Sequence, residues 1–187
     1  MTTLAGIEGD GWCVLGSESK ITGDGGFMFT PSAKTFENGP VIIGACGGVR
    51  GLNILEHGWS APRYVGKSVE HYLTRTFIPS MRKAMIDAGA DMKDDGEVAE
   101  FDNALLVAIK GRIFSIGSDY SWIQSSRGVY SYGSGGAFVR GAMSSMCKKH
   151  FPKTVEAAQH IITESIKVAI DSDEFSGGKI STFVQYL

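Results

Sequence analysis

The sequence predicts an α+β fold and favours two antiparallel sheets packed together with helices outside, a four-layer αββα sandwich, which periodicity alone does not distinguish from other α+β folds. Alternating apolar residues at 3–8 and 12–17 surround Gly9-Asp10-Gly11, a combination that favours a tight hairpin at the start of the chain. Strand patterns and helical patterns then follow each other in blocks. The helical spacing covers about 67–88, 135–148 and 154–171, and a last strand pattern covers 179–186.

The remaining elements follow from local signals. Asn38-Gly39-Pro40 punctuates a second strand pair, Pro79 predicts a kink or break in the first long helix, and the acidic stretch 91–97 predicts a solvated loop. Helical spacing also begins after Gly47-Gly48. The further strands are expected at 34–36, 41–45, 103–109, 113–116 and 128–132.

Composition limits the classes of function. The chain has 187 residues, 43% of them hydrophobic, which predicts one domain over 1–187. The net charge of -2 argues against nucleic acid and anionic membranes as partners. With no long apolar run and no signal-peptide pattern, we expect a soluble cytoplasmic protein. The three cysteines, an odd and widely spaced set, predict neither disulfides nor a metal site, and no pattern calls for a cofactor.

The first residues, MTTL, carry the main functional signal. Removal of Met1 leaves Thr2 with a hydroxyl and a free α-amine on one residue. A hydroxyl is a poor nucleophile without a base, and an α-amine, with a pKa of about 7.7–8.0, is a suitable one. Two threonines at a strand start also suit β structure, so partner residues must decide.

Candidate partners recur along the chain. Glu18 follows the second strand pattern, and Lys34 enters the next strand; a lysine held by a carboxylate would place positive charge near Thr2. Glycine-rich turns occur at 44–48 and 133–136, where backbone N–H groups can approach a developing oxyanion closely. The phrase 173–178, DEFSGG, separates the last helix from the last strand.

Together these segments resemble the threonine-peptidase branch of the N-terminal-nucleophile (Ntn) hydrolases, which includes the catalytic β subunits of the 20S proteasome and bacterial HslV. The resemblance covers nearly the whole chain, and the landmarks occur in the family's order. It implies the Ntn-hydrolase fold and a peptidase. The catalytic residues that it implies are Thr2, Glu18, Lys34, Gly47, Ser134, Asp173 and Ser176.

Each of these residues has an implied role. Thr2 is the nucleophile, Lys34 held by Glu18 supplies charge, and the Gly47 N–H binds the oxyanion, while Ser134 orients the terminal amine. Small and apolar residues would line the substrate pocket and favour an apolar residue before the scissile bond. These pocket residues are Ile21, Ser32, Ala45 and Val49.

The resemblance also implies an assembly. Threonine peptidases of this kind enclose their sites in stacked rings, so we expect a homo-oligomer of hexameric or heptameric rings, polypeptide substrates and an AAA+ unfoldase ATPase as a partner. Only Met1 precedes Thr2, as in the HslV group, and Ser60-Ala61-Pro62 interrupts what is usually a continuous first helix. Two alternatives remain at this point: an Ntn amidase acting on a small molecule, and a catalytically silent ring subunit.

Overall fold

Antiparallel strands dominate the computed structural model, which describes residues 2–23, 25–31, 34–66, 68–92 and 99–187. The N-terminal hairpin has the bounds that its sequence predicts. The strands are β1 (Thr3–Glu8), β2 (Trp12–Ser17), β3 (Lys20–Gly23), β4 (Gly26–Phe29), β5 (Thr35–Asn38), β6 (Val41–Gly47), β7 (Asp91–Met92), β8 (Glu100–Phe101), β9 (Asn103–Ile109), β10 (Arg112–Ile116), β11 (Trp122–Ile123), β12 (Val129–Gly133) and β13 (Ser181–Tyr186).

The first large sheet has the strand order β12-β1-β2-β13, and all its pairs are antiparallel. Thr3 at the start of β1 lies opposite Gly133 at the end of β12, and Ser17 at the end of β2 lies opposite both Leu4 and Ser181. Since neighbouring strands run in opposite directions, the start of β1 meets the ends of both its neighbours at one edge of the sheet.

The second large sheet has the order β11-β10-β9-β6-β5 and is also antiparallel throughout. Gly47 at the end of β6 lies opposite Asn103 at the start of β9. The glycine-rich turn predicted at the end of β6 therefore lies directly beside a β9 residue.

Helices follow the strand blocks as the spacing predicts. Two of them continue through π-helical turns, at Ile54–Gly58 and Leu73–Phe77. Pro79 lies in the first turn of the helix after the second π turn, where its missing N–H is tolerated, so helical structure continues instead of breaking. No helix in the described part of the chain is both long and apolar enough to span a membrane. The helices are α1 (Val49–Asn53), α2 (Val69–Tyr72), α3 (Ile78–Asp87), α4 (Gly136–Lys149) and α5 (Val155–Ser172).

Strand β1 is buried on both faces, and this explains why its sequence is apolar almost throughout. Leu4 packs in a cluster with residues of the second sheet, among them Leu106 and Ile113. Its neighbours Ala5 and Ile7 pack instead with residues of α4 and α5. Complete burial of each large side chain contributes about 1.5–3 kcal/mol, so the start of the chain is firmly held.

A further cluster joins the second sheet to α1–α3 and the two π turns. Ile43 and Val107 of the sheet pack with Leu55, Phe77 and Met81 of the helical segments. These clusters place the apolar residues between the sheets and between each sheet and its helices, in agreement with a mixed α/β fold built on antiparallel sheets.

Two segments differ from expectation. Strands β3 and β4 form a hairpin that the pattern did not predict, and three of its large apolar side chains, Phe27, Met28 and Phe29, are more than half exposed. In the acidic stretch, Asp91 and Met92 pair with Phe101 and Glu100 instead of lying in a loop. The predicted loop otherwise falls on residues 93–98, outside the described part of the chain.

Candidate active site

Thr2 lies at the sheet edge where the start of β1 meets the ends of β2 and β12. It is 4% exposed, and the next residue, Thr3, is fully buried. Gly133 opposite Thr3 has a positive φ of 88°, and a Cβ there would lie 1.7 Å from the Thr2 carbonyl oxygen. Glycine is therefore needed at 133 for this approach, which explains the first glycine of GSGG.

Glu18 is fully buried, with donors on both of its oxygens. Oε1 accepts a 2.9 Å hydrogen bond from the Thr3 N–H and a 2.6 Å bond from Lys34 Nζ. Oε2 accepts from the Lys20 N–H at 2.6 Å and the Gly177 N–H at 3.3 Å. These four donors satisfy both carboxylate oxygens in a site that is closed to water. Glu18 thus ties the N-terminal strand to the lysine.

Lys34 is 2% exposed and donates to the carbonyl of Lys20 as well as to Glu18. Burial lowers the pKa of the Lys34 ammonium below its ordinary value, and the Glu18 carboxylate beside it acts in the opposite direction. With Thr2 it lines a small pocket of about 170 Å³. The charge that the sequence predicts near Thr2 therefore lies in the same pocket.

The glycine turn after β6 is shaped by close contacts. Gly47 has a φ of 118°, and the Gly48 N–H donates to the Asp102 carbonyl at 2.7 Å, so the second glycine's amide is already used. The buried Asn103 amide donates to the carbonyls of Cys46 (3.3 Å) and Gly48 (3.0 Å), which lie on either side of Gly47. Asn103 thereby fixes the turn from which a Gly47 N–H would act.

A second group of polar side chains connects the loop residues on the other side of the nucleophile. Asp173 Oδ2 accepts hydrogen bonds from Ser134 Oγ at 2.7 Å and from Ser176 Oγ at 2.6 Å. Ser176 Oγ in turn lies 2.5 Å from Thr3 Oγ1. Although burial alone would raise the pKa of Asp173, the hydrogen bonds from Ser176, Ser134 and the Phe175 N–H lower it below its ordinary value.

The direction of these hydrogen bonds follows from the proton count. Because Asp173 is ionised at neutral pH it only accepts, and each serine donates its single hydroxyl proton to it. The proton between Thr3 and Ser176 must then come from Thr3. Ser134, which lines a cleft together with Thr2, keeps only acceptor lone pairs for that cleft.

Two cavities meet at Thr2. The small pocket contains three of the four predicted substrate residues, Ile21, Ala45 and Val49, together with Thr22 and Leu52. Ser32, the fourth, lies outside the described residues. The second cavity is a wider cleft of about 710 Å³, which Thr2, Gly47 and Asn103 share with the small pocket.

Cys46 lines the wide cleft as well, so it must be weighed as another nucleophile. Burial raises the pKa of the Cys46 thiol, and its Sγ donates to the Ala104 carbonyl at 3.4 Å. A protonated, hydrogen-bonded thiol is a poor nucleophile at neutral pH. Cys46 is therefore a packing residue beside the glycine turn.

Several contacting residues were not found from the sequence. No motif marks Asn103, because its role depends on the neighbouring strand β6, whose Cys46 carbonyl accepts its hydrogen bond. No motif marks Lys20 either, because it contributes its backbone carbonyl to Lys34. Thr3 was noticed only as the second threonine of the MTTL start, whereas the structure gives it hydrogen bonds to both polar groups. The structure brings the other predicted catalytic residues together around Thr2 and Thr3.

Solved structures with this fold match the whole chain. BPH from Thiobacillus denitrificans, in complex with epoxomicin, has a TM-score of 0.78 at 19% identity, covering 100% of this chain and 99% of that one. HslV from Trypanosoma brucei has a TM-score of 0.65 at 19% identity over 100% of both chains. An Anbu (Gly-1) mutant from Hyphomicrobium sp. strain MC1 has a TM-score of 0.71 at 13% identity, covering 100% of this chain and 82% of that one.

No protein-family profile and no curated protein matches the sequence. One of these structures is HslV, from the class of proteins that the motifs resemble, and this confirms the resemblance at the level of the fold. The chain has the fold of that class. At 13–19% identity the likeness concerns the fold, so the activity has to be argued from the site itself.

Proposed function

We propose that this chain is a threonine-type endopeptidase whose nucleophile is Thr2 after removal of Met1. The observation that carries the proposal is the buried Lys34–Glu18 pair, whose 2.6 Å contact lies at the pocket that Thr2 lines. Desolvating an ion pair costs several kcal/mol per ion, and replacing such pairs by apolar residues is often neutral or stabilising. A buried cation that lines the same pocket as Thr2 is better explained by the chemistry it supports.

The proposed reaction is acyl transfer from a peptide to Thr2 and then to water. Thr2 Oγ attacks the scissile carbonyl while the α-amine takes the Oγ proton, and the Gly47 N–H binds the resulting oxyanion. The C–N bond breaks, and the departing amine receives the proton from the α-ammonium. Water then attacks the ester, again giving its proton to the α-amine, and releases the acid and free Thr2.

The polar groups divide the supporting tasks. Lys34 stabilises negative charge on Oγ and lowers the pKa of the neighbouring amine. Ser134, left with acceptor lone pairs, accepts an N–H of the α-amine and so aims the amine's own lone pair at the Oγ proton. Glu18 and Asp173 hold Lys34 and Ser134 in place.

The first experiment combines intact mass with peptide turnover. We expect a mass lower by one methionine residue, about 131 Da, because a blocked α-amine cannot act as base. The active protein should hydrolyse fluorogenic peptides with an apolar residue before the cleaved bond. Epoxomicin, which the BPH neighbour binds, should inhibit it and add its mass to the protein.

Two variants at Thr2 serve as matched controls. Thr2→Ala removes the hydroxyl and should abolish turnover and the epoxomicin adduct, whereas Thr2→Ser keeps a hydroxyl and should retain measurable turnover. Both have a small second residue, so removal of Met1 is the same in each. Turnover by Thr2→Ala at the wild-type rate would refute the proposal.

The same experiment separates the alternatives. Complete retention of Met1 with no turnover would favour a silent ring subunit, and hydrolysis of small amides without peptides would favour an amidase. The hydrogen-bonded set of Lys34, Glu18, Asp173 and Ser134 supports an active enzyme, because a silent subunit has no need for it.

We also propose the wider organisation. The apolar clusters support one four-layer αββα domain over 1–187, and the exposed Phe27, Met28 and Phe29 of the β3–β4 hairpin support assembly, since patches of this kind often mark contact surfaces. We expect stacked rings of six or seven copies, cytoplasmic location and an AAA+ unfoldase partner. Native mass measurement would test the ring size.

A further inference from the structure

The wide cleft and the small pocket both adjoin Thr2, and apart from Thr2, Gly47 and Asn103 their described linings differ. The small pocket holds Ile21, Ala45 and Val49, where the proposed function places the acyl half of the substrate. Thr2 and Gly47 line both cavities, so a peptide whose scissile carbonyl lies at Thr2 and Gly47 must leave the site through the cleft. The cleft is thus placed for the amine half of the substrate.

The charges of the cleft are of one sign. Its described lining contains two carboxylates, Glu100 and Asp102, and no lysine, arginine or histidine. Both residues are exposed, and within the described residues neither takes part in an ion pair. Lys34 lines the small pocket and is not among the described residues of the cleft.

The described lining of the cleft also contains apolar and aromatic residues, Phe101, Ala104 and Tyr132. Phe101, between the two acidic residues, is 1% exposed and stacks on Tyr120 with ring centroids 4.6 Å apart. The Tyr132 hydroxyl lies 2.7 Å from Ser115 Oγ. A lysine or arginine side chain, with an apolar stem and a charged end, fits a surface of this kind because the stem packs while the charge stays in water.

We infer that this cleft is a binding site for the residue after the scissile bond and that Glu100 and Asp102 make it select a basic residue there. The inference rests on the proposed function. The α-ammonium of the departing product adds a second positive charge on the same side, and the carboxylates attract it as well. The preference on the acyl side should be unaffected, since neither Glu100 nor Asp102 lines the small pocket.

The test uses internally quenched peptides that differ only in the residue after the cleaved bond. With Met1-processed protein we expect kcat/KM to fall in the order lysine, arginine, alanine, glutamate, with roughly a threefold to tenfold span between lysine and glutamate, as exposed charge pairs allow. Because the charges are exposed, the span should shrink in 1 M salt, where the Debye length is about 3 Å.

The variant Glu100→Gln/Asp102→Asn should bring the lysine-to-glutamate ratio close to one. A ratio within one protein cancels any change in folding or overall rate. Asp10→Asn is the control for loss of surface charge: it removes one carboxylate, against two in the double variant, in the β1–β2 turn at the far end of the hairpin from Thr2, where asparagine before glycine is equally suitable. It should keep the wild-type ratio.

A wild-type ratio near one, or a preference that persists in the double variant, would overturn the inference while peptide cleavage itself upheld the proposed function. If no peptide is cleaved, the proposed function fails, and the cleft's assignment fails with it.

Discussion

Two groups of polar residues contact the start of β1, and they differ in charge and in the chain segments that supply them. The ionic group, Glu18 and Lys34, is almost fully buried and contains a cation, with side chains at most 3% exposed. The hydroxyl group, Ser134, Asp173 and Ser176, contains a carboxylate and two serines but no cation. Thr3 bonds to both groups, through its N–H to Glu18 and its hydroxyl to Ser176.

The difference separates two tasks. An ion pair in a buried pocket acts through its charge, which is strong where water is excluded. Hydroxyl groups around a carboxylate act instead by orienting one another, since each hydroxyl donates its single proton to one acceptor. Loss of the first should therefore reduce the rate far more than loss of the second.

Lys34→Met should have the largest effect. We expect turnover to fall by about 10³-fold or more, as for loss of a preorganised electrostatic stabiliser, and stability to fall by roughly 3–5 kcal/mol because Glu18 stays buried without its cation. Glu18→Gln/Lys34→Met should regain part of that stability but no activity, because the buried charge is gone while the glutamine NH2 faces a backbone N–H that donates to the carboxylate in the wild type. Steady-state kinetics and denaturant unfolding measure both, with Lys148→Met on the exposed face of α4 as control. Turnover of Lys34→Met within tenfold of wild type would contradict the expectation that the ionic group contributes more to the rate than the hydroxyl group.

The pH dependence of turnover should reflect the titration of the α-amine and of Lys34. The acid limb reports the α-amine, which must be neutral to act as base and whose pKa the neighbouring Lys34 charge should hold below the ordinary value of about 7.7–8.0. The alkaline limb reports Lys34: its pKa is lowered by burial, so its charge is lost as pH rises through that lowered value, and turnover falls about tenfold per pH unit beyond it.

The free energy of unfolding should rise with pH over the range in which Lys34 loses its proton, whereas turnover falls. Between the lowered pKa of Lys34 and the higher pKa of an unfolded lysine, the unfolded chain binds more protons, so this group's contribution to stability rises with pH. Parallel rate and unfolding measurements across this range check it. An alkaline limb with a midpoint above that of free lysine would contradict the assignment.

Asp173→Asn tests the hydroxyl group. The amide oxygen of this variant can still accept both serine protons at the position of Oδ2, but the amide NH2 then faces the Phe175 N–H that donates to Oδ1, and the negative charge that strengthens both serine bonds is lost. We expect kcat to fall about tenfold with KM little changed, and stability to fall by roughly 1–3 kcal/mol. Separate kcat and KM values measure this, and Asp171→Asn, exposed two residues earlier on α5, is the control.

The same variant makes a prediction at acid pH. The pKa of Asp173 is lowered in the folded chain, so its contribution to stability is present above the unfolded value of about 3.9 and is lost as pH falls through the folded value. Asp173→Asn should remove this part of the acid dependence. An unchanged acid profile would show that Asp173 is not ionised as proposed.

Thr3→Val should have the smallest effect. It removes one donated proton and keeps the shape, so we expect about a threefold lower kcat and about 1 kcal/mol less stability. Thr3→Ser restores the hydroxyl and should recover the rate. Thr3 bonds to both groups. A loss of rate as large as that of Lys34→Met would therefore mean that orientation by hydroxyl hydrogen bonds, and not the charge of the ion pair, makes the larger contribution to turnover.

Local patterns predicted much of the fold. The Asp-Gly turn fixed the first hairpin to the residue, and the helical spacing located α4 and α5 to within a residue or two. The β3–β4 hairpin was missed, because its large apolar residues are exposed and show no two-sided pattern. The helix around Pro79 continued because a π turn precedes the proline, and spacing carries no signal for such a turn.

By itself the sequence determined the order of the strands and helices and, through its resemblance to threonine peptidases, which residues to look for, because turn chemistry and motifs are local. Only the tertiary structure decided what those residues do together. Three features arise from residues far apart in the chain: the hydrogen bonds of Asn103 to the glycine turn, the donation of serine protons to Asp173, and the acidic cleft beside Thr2. Contacts of this kind depend on sheet register and on which strand ends share an edge, and no local pattern records either.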